Sequence, residues 1–382
     1  MLTLRQGSQA LSLLLLLSVT GEFPLRSLRL LGNERVLRDL IRRMTMPQLI
    51  RMPDGNQQWK TRLLRISGKG REKSIRLCKG SLMILKCVYP ELYWYYMDSF
   101  WNHRFPGDSA HRDRNHRVAE AAAFCCRTGI EIFPCRMPKL QLDAIRLVVP
   151  QEPVFYPARD LKKIRPSEQN KTAFTRTVGA LFYPGGCYAV YNSRDAAMKW
   201  NGLGEFKALH SLAEVARMNA GLQAVDSALL LGRSWETALG TLQLARQSSR
   251  LELRFDSIYR HIYFLPLNES GIRRLKLLTL PNWREQLLNL LFEPETRSYD
   301  QGFMEYDACV DGARVYSHLD GDLARLIRFR EAMENQTNPV EVLCFRDQVP
   351  LLQSYLGTGA SLKIMEIELV ERELGLAEEM EN

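Results

Sequence analysis

Between Asn33 and Ile66 the spacing of apolar residues changes from the period of a helix to the period of a strand, and Pro47 marks the change. Asn33 can cap a helix running to about Met44, with Glu34 suited to its positive end. Val36, Leu37, Leu40, Ile41 and Met44 make its apolar stripe, and Arg35, Arg38, Arg42 and Arg43 fall on the other face. Leu49 to Met52 and Trp59 to Ile66 then read as two strands joined by Pro53-Asp54-Gly55-Asn56, a combination typical of a hairpin tip. The second of these strands alternates Lys60, Arg62 and Arg65 with apolar residues. Two helices are expected upstream. One starts near Gln9, carries Ala10, Leu11, Leu14 and Leu17 at helical spacing, and stops near Gly21; the other runs from Pro24 to Leu31 with Gly32 just past its end.

Three short helices followed by a basic hairpin is the winged helix-turn-helix plan, in which the third helix enters the major groove of DNA and the wing grips the flanking backbone. Charge agrees with that order. Residues 1–80 hold 16 Lys/Arg against 5 Asp/Glu, a local charge of +11, whereas the rest of the chain stands at −2. A basic block on an otherwise neutral chain is the footprint expected for a polyanion partner. Arg35, Arg38, Arg42, Arg43, Lys60, Arg62 and Arg65 are therefore the candidate contacts to double-stranded DNA. If the arginines only solvate an amphipathic helix, the same domain would dock a protein instead.

A chain of 382 residues exceeds one ordinary core. The expected division is a winged-helix domain over 1–80, a mixed α/β middle region over 81–220 with a β-hairpin near 175–191, and an α/β region over 221–382 with an acidic tail. Eight cysteines without any Cys-x-x-Cys pairing read as reduced thiols of a cytoplasmic protein. The run Leu11 to Val19 after Arg5 also suits a secretory signal cut after Thr20. It is much shorter than the roughly 20 residues of a membrane span and merges into the helical pattern, so no membrane partner is expected.

Evidence for catalysis is thin in the sequence. Gly357-Thr358-Gly359 follows a helix and lacks the Gly-Lys-Ser/Thr of a phosphate-binding loop, and neither a Gly-x-Ser-x-Gly elbow nor a His-Glu-x-x-His motif occurs. No cofactor is expected. His103, His111 and His116 match no metal-ligand spacing, and capping or phosphate contacts by Arg112, Arg114 and Arg117 are the plainer reading. The aromatic run Tyr89 to Trp101 has little interleaved positive charge and reads as packing rather than base stacking. The alternative worth carrying is a metal-dependent nuclease of degenerate restriction-endonuclease type. Glu120, Asp143 and Asp160 would hold a divalent ion and Lys162 would stabilise the developing charge.

Further along, apolar runs alternate with amphipathic helices: Ser227 to Leu231 before Trp235 to Arg246, and Val340 to Phe345 before Val349 to Leu356. The run Leu362 to Val370 precedes the acidic Glu378-Glu379-Met380-Glu381. The chain thus reads as mixed α/β, an N-terminal winged helix-turn-helix with a larger α/β body. With Ile66 to Glu72 closing the wing and the helix His116-Arg117-Val118-Ala119-Glu120 behind it, the layout resembles winged-helix replication-relaxation proteins of plasmids and integrative mobile elements. That resemblance lies mainly in residues 9–75. It implies an accessory part in plasmid replication, DNA relaxation or conjugative transfer, with protein partners or a homodimer engaged through the C-terminal body.

Overall fold

The computed structural model describes residues 1–52, 58–100, 108–140, 144–148, 151–164, 174, 176–200, 202–247, 254–298, 305–334 and 339–376. The chain is mixed α/β and divides into two units, Met1–Leu142 and Asp143–Asn382. The stretch 81–220, expected as a region of its own, is shared between them. Pro53 to Asn56, Asp143 and the acidic tail lie outside the described residues.

In the first unit β1 (Leu2–Thr3) is followed by α1 (Gln9–Thr20), whose first turn is capped when the Ser8 hydroxyl accepts from Leu11 N–H. The apolar run of this helix is buried, with Leu14 and Leu17 fully enclosed. Gly21 ends it at φ 76°, where an added Cβ would strike the Phe100 ring. β2 (Glu22–Pro24) follows. The helix expected from Pro24 to Leu31 is instead a tighter 3-10 segment, Leu25–Leu31, with a non-helical kink at Ser27. At the kink the buried Ser27 hydroxyl donates to Glu120 at 2.6 Å.

α2 (Glu34–Thr45) has the expected cap, since the Asn33 side chain accepts from the N–H groups of Arg35 and Val36. Leu37, Leu40, Ile41 and Met44 are buried, but Val36 stands 50% exposed and leaves the predicted stripe. β3 (Gln48–Arg51) and β4 (Gln58–Thr61) pair antiparallel, and β1 adds parallel to β3 with Leu2 opposite Ile50. The strand predicted from Trp59 to Ile66 breaks. Leu63 and Leu64 are adjacent and both fully buried, which a strand of period two cannot provide on one face. Leu63 accordingly leaves the ladder, donating to Met44 carbonyl and accepting from Cys78 N–H, each at 2.9 Å. β5 (Leu64–Ser67) then joins a different sheet, pairing with β6 (Ser74–Leu77), which also pairs with β2.

α3 (Lys79–Val88), α4 (Pro90–Ser99) and α5 (Ser109–Arg127) complete the unit. Tyr96 and Phe100 of the aromatic run are buried, whereas Trp94 is 62% exposed. α5 packs its alanine face against β2 and the 3-10 segment. Where they meet, Glu22 is fully buried and one of its oxygens accepts from Ser74 at 2.8 Å and from Arg76 at 2.7 and 3.0 Å. His116 Nε2 lies 3.5 Å from the same oxygen. Burial alone pushes the Glu22 carboxyl up, but His116 and the Arg76 guanidinium outweigh it and pull it down to about 2.

The second unit holds two sheets. In the first, β7 (Val154–Pro157), β8 (Gly179–Tyr183) and β9 (Gly186–Arg194) form an antiparallel meander, and β10 (Ser227–Gly232) and β11 (His261–Pro266) extend it in parallel. In the second, β12 (Ala308–Val310) is antiparallel to β13 (Ala313–Ser317), and β14 (Val340–Phe345) and β15 (Ser361–Met365) follow in parallel. The helices include α6 (Ile145–Val148), α7 (Ala158–Leu161), α8 (Leu203–Val215), α9 (Trp235–Arg246), α10 (Glu269–Leu278), α11 (Trp283–Leu291), α12 (Leu323–Met333), α13 (Val349–Leu356) and α14 (Ile367–Glu373). The run Leu362 to Val370 thus splits between β15 and α14. Among the described residues no helix is long and apolar enough to cross a membrane.

Replacing Glu22 by Gln leaves the Arg76 charge buried without its partner, and a loss of about 3–5 kcal/mol is expected in denaturant unfolding. Because the Glu22 carboxyl is held below its ordinary value, its stabilisation is complete above about pH 4.5 and disappears as pH falls towards 2. The acid limb of a stability–pH profile should therefore be shallower in Glu22→Gln than in the parent protein.

Candidate nucleic-acid interface

The core of the first unit determines which side of α2 meets water. With Leu37, Leu40, Ile41 and Met44 turned inward, the helical period sends Arg35, Arg38, Arg42 and Arg43 outward, and all four are exposed. The β3–β4 hairpin is arranged the same way. Ile50 is buried opposite Trp59, so the alternate pair Leu49 and Lys60 faces out. Arg62 follows Lys60 at the strand period and is exposed, as is Arg65. Arg65, however, belongs to β5 and sits opposite Arg76 in the other sheet, so it does not continue the Lys60 row.

The acidic residues of this region are used inside the unit. Glu34 pairs with Arg38 at 2.6 Å, Asp39 with Arg42 at 3.4 Å, and Glu72 with Arg112 at 2.7 Å. Glu22 is committed to Arg76. Arg35, Arg43, Lys60, Arg62 and Arg65 have no carboxylate partner among the described residues. Exposed pairs such as Arg38–Glu34 and Arg42–Asp39 are worth at most about 1 kcal/mol and would readily exchange partner for a phosphate.

The residues of the alternative catalytic set fall in different units or outside the described residues. Glu120 is buried in the first unit and holds Ser27. Asp143 lies outside the described residues, and Asp160 belongs to the second unit, on α7 with Lys163 at 3.9 Å. Lys162 follows that helix and its N–H donates to Ala158 carbonyl. Among the described residues no group of three or more His, Cys, Asp or Glu could hold a metal ion. The α5 histidines and arginines are engaged locally: Asp108 caps the helix through His111 N–H, His116 faces Glu22, and Arg117 pairs with Asp113 at 2.8 Å.

A polar centre in the second unit escaped the sequence reading. Asp322, the N-cap of α12, accepts from the N–H groups of Ala324 and Arg325 and also from Ile262 N–H of β11 at 3.0 Å. His261 Nδ1 lies 2.6 Å from its other oxygen. Burial alone pushes the Asp322 carboxyl up, but His261 and these N–H groups outweigh it and hold it well below the usual carboxylate range. Burial and the neighbouring Asp322 carboxylate push Asp320 up to about 6. Asp320-Gly321-Asp322 before an apolar-periodic helix was a visible capping signal; its partner His261, 61 positions away, was not.

The two faces of α2 should separate cleanly in stability measurements. Leu40→Ala is expected to cost about 2–4 kcal/mol by emptying core volume, and Arg35→Ala to stay within about 0.5 kcal/mol of the parent protein, both read by urea denaturation. Comparison with known protein families, with curated proteins and with solved structures finds no match.

Proposed function

We propose that the unit Met1–Leu142 binds duplex DNA through the exposed face of α2 and the β3–β4 hairpin. The observation that carries this reading is that, among the cations of the unit without a carboxylate partner among the described residues, five gather on these elements or next to them: Arg35 and Arg43 on the helix, Lys60 on the hairpin, and Arg62 and Arg65 just beyond it. In the winged helix-turn-helix reading α2 enters the major groove, where its arginines pair with guanine edges or phosphates. Lys60 and Arg62 then contact the backbone and fix orientation. The order of helices and hairpin supports the plan, although β2 pairs with β6 rather than with the hairpin. The resemblance to replication-relaxation proteins points to an accessory role on a mobile element, the second unit docking protein partners or a second copy. A nuclease reading gains no comparable support, because Glu120 is committed to the Ser27 hydroxyl.

Duplex affinity of the whole protein across a salt series tests the proposal. Each neutralised phosphate contributes about −0.9 to the slope of log K against log salt. The combined Arg35→Ala and Arg43→Ala variant should reduce that slope by about 2 and weaken low-salt binding at least about tenfold. Unchanged slope and affinity in a variant of parental stability would overturn it.

A further inference from the structure

The second unit contains a cavity of about 510 Å³, within the range of small-molecule sites. Among the described residues its walls include Tyr183 at the β8–β9 turn, Trp283, Arg284 and Leu288 on α11, and Arg297 and Tyr306. Most of the charge around it is already engaged. Arg297 donates twice to Phe292 carbonyl and once to Glu285, each at 3.1 Å. Asp307, also on the wall, pairs with Arg325 at 2.7 Å and accepts from Ser317 N–H.

Arg284 differs from these. It has no carboxylate partner among the described residues, and its Nη1 lies 3.4 Å from His261 Nε2. Since His261 directs Nδ1 at Asp322, donation of that N–H leaves the Nε2 lone pair facing the guanidinium. This contact orients the guanidinium without forming an ion pair, and the buried Asp320 carboxylate acts on it only from beyond salt-bridge distance. The first turn of α11 forms part of the same wall, and Asn282 makes no side-chain capping bond to it. Glu285, also on the wall, already places a carboxylate in that first turn, so the anion contact falls to Arg284. Tyr183, Tyr306 and Leu288 also line the wall, Tyr183 stacked on Tyr188 and Tyr306 with the Arg314 guanidinium 5.3 Å from its ring centre.

We propose that this cavity binds a small organic phosphate, with Arg284 as the anchoring cation and the tyrosine walls receiving a planar ring; His261 is the positioning residue for Arg284. The inference rests on the second unit alone and stands apart from the DNA-binding reading.

Calorimetric titration of the full chain with adenosine monophosphate and, separately, with inorganic phosphate tests it. Binding of the mononucleotide is expected, at least about tenfold tighter than inorganic phosphate. Arg284→Gln should weaken it by about tenfold or more, and Arg284→Lys by less. His261→Gln should weaken binding in the parent background and have no further effect once Arg284 is Gln, a coupling that general loss of structure would not produce. The Arg35→Ala and Arg43→Ala variant should bind the mononucleotide as the parent does. Absence of mononucleotide binding, equal affinity for inorganic phosphate, or full binding by an Arg284→Gln protein that melts like the parent would each overturn the proposal.

Discussion

Glu22 is a carboxylate that water does not reach, and the first unit is arranged around it. Removing such a group from water costs several kcal/mol, and the cost is offset only by close donors in good geometry. Arg76 and Ser74 of β6 provide those donors and His116 of α5 closes the site, so one side chain ties the β2–β6 ladder to the helix that crosses it. The chain just before it is equally constrained. Gly21 leaves no room for a side chain beneath Phe100, where an added Cβ would lie 2.2 Å from the ring. The end of α1, the start of β2 and the α5 crossing therefore have one mutual arrangement, and α2 and the hairpin are built out from it.

The surface charge follows from that interior. Acidic residues of the first unit are used to neutralise arginines within it, at Arg76, Arg38, Arg42 and Arg112. What remains exposed is a set of cations whose own protein supplies no counter-charge among the described residues. The second unit uses the same principle with a different result. Asp322 draws β11, through Ile262 and His261, onto the start of α12, and Gly321 at φ 73° lets the backbone pass close to Phe264 carbonyl. Here the buried carboxylate leads through His261 to Arg284 of α11, a cation that lines a cavity.

Features governed by local chemistry were legible in the sequence. The Asn33 cap, the Leu37-Leu40-Ile41-Met44 stripe and the outward arginines of α2 follow from neighbours within two turns. The β8–β9 hairpin and the pairs β10–α9 and β14–α13 likewise declare themselves by period and punctuation. Features governed by distant partners were not legible. Leu63-Leu64 signals a break in its period, but that β5 leaves the hairpin's sheet depends on β6 being available to receive it. Ser27, at the kink of its segment, donates to a glutamate on α5, and Val36 is exposed although it shares the helical period. His261 reads as an isolated histidine until the fold brings β11 beside Asp322.

Hydrogen exchange of the full chain with and without a saturating DNA duplex tests the central claim most directly, because it reports where on the chain the duplex lands. The account predicts slowed amide exchange concentrated in α2 and in the β3–β4 hairpin. Slowing confined to the second unit, or a bound duplex that leaves both elements unchanged, would contradict it.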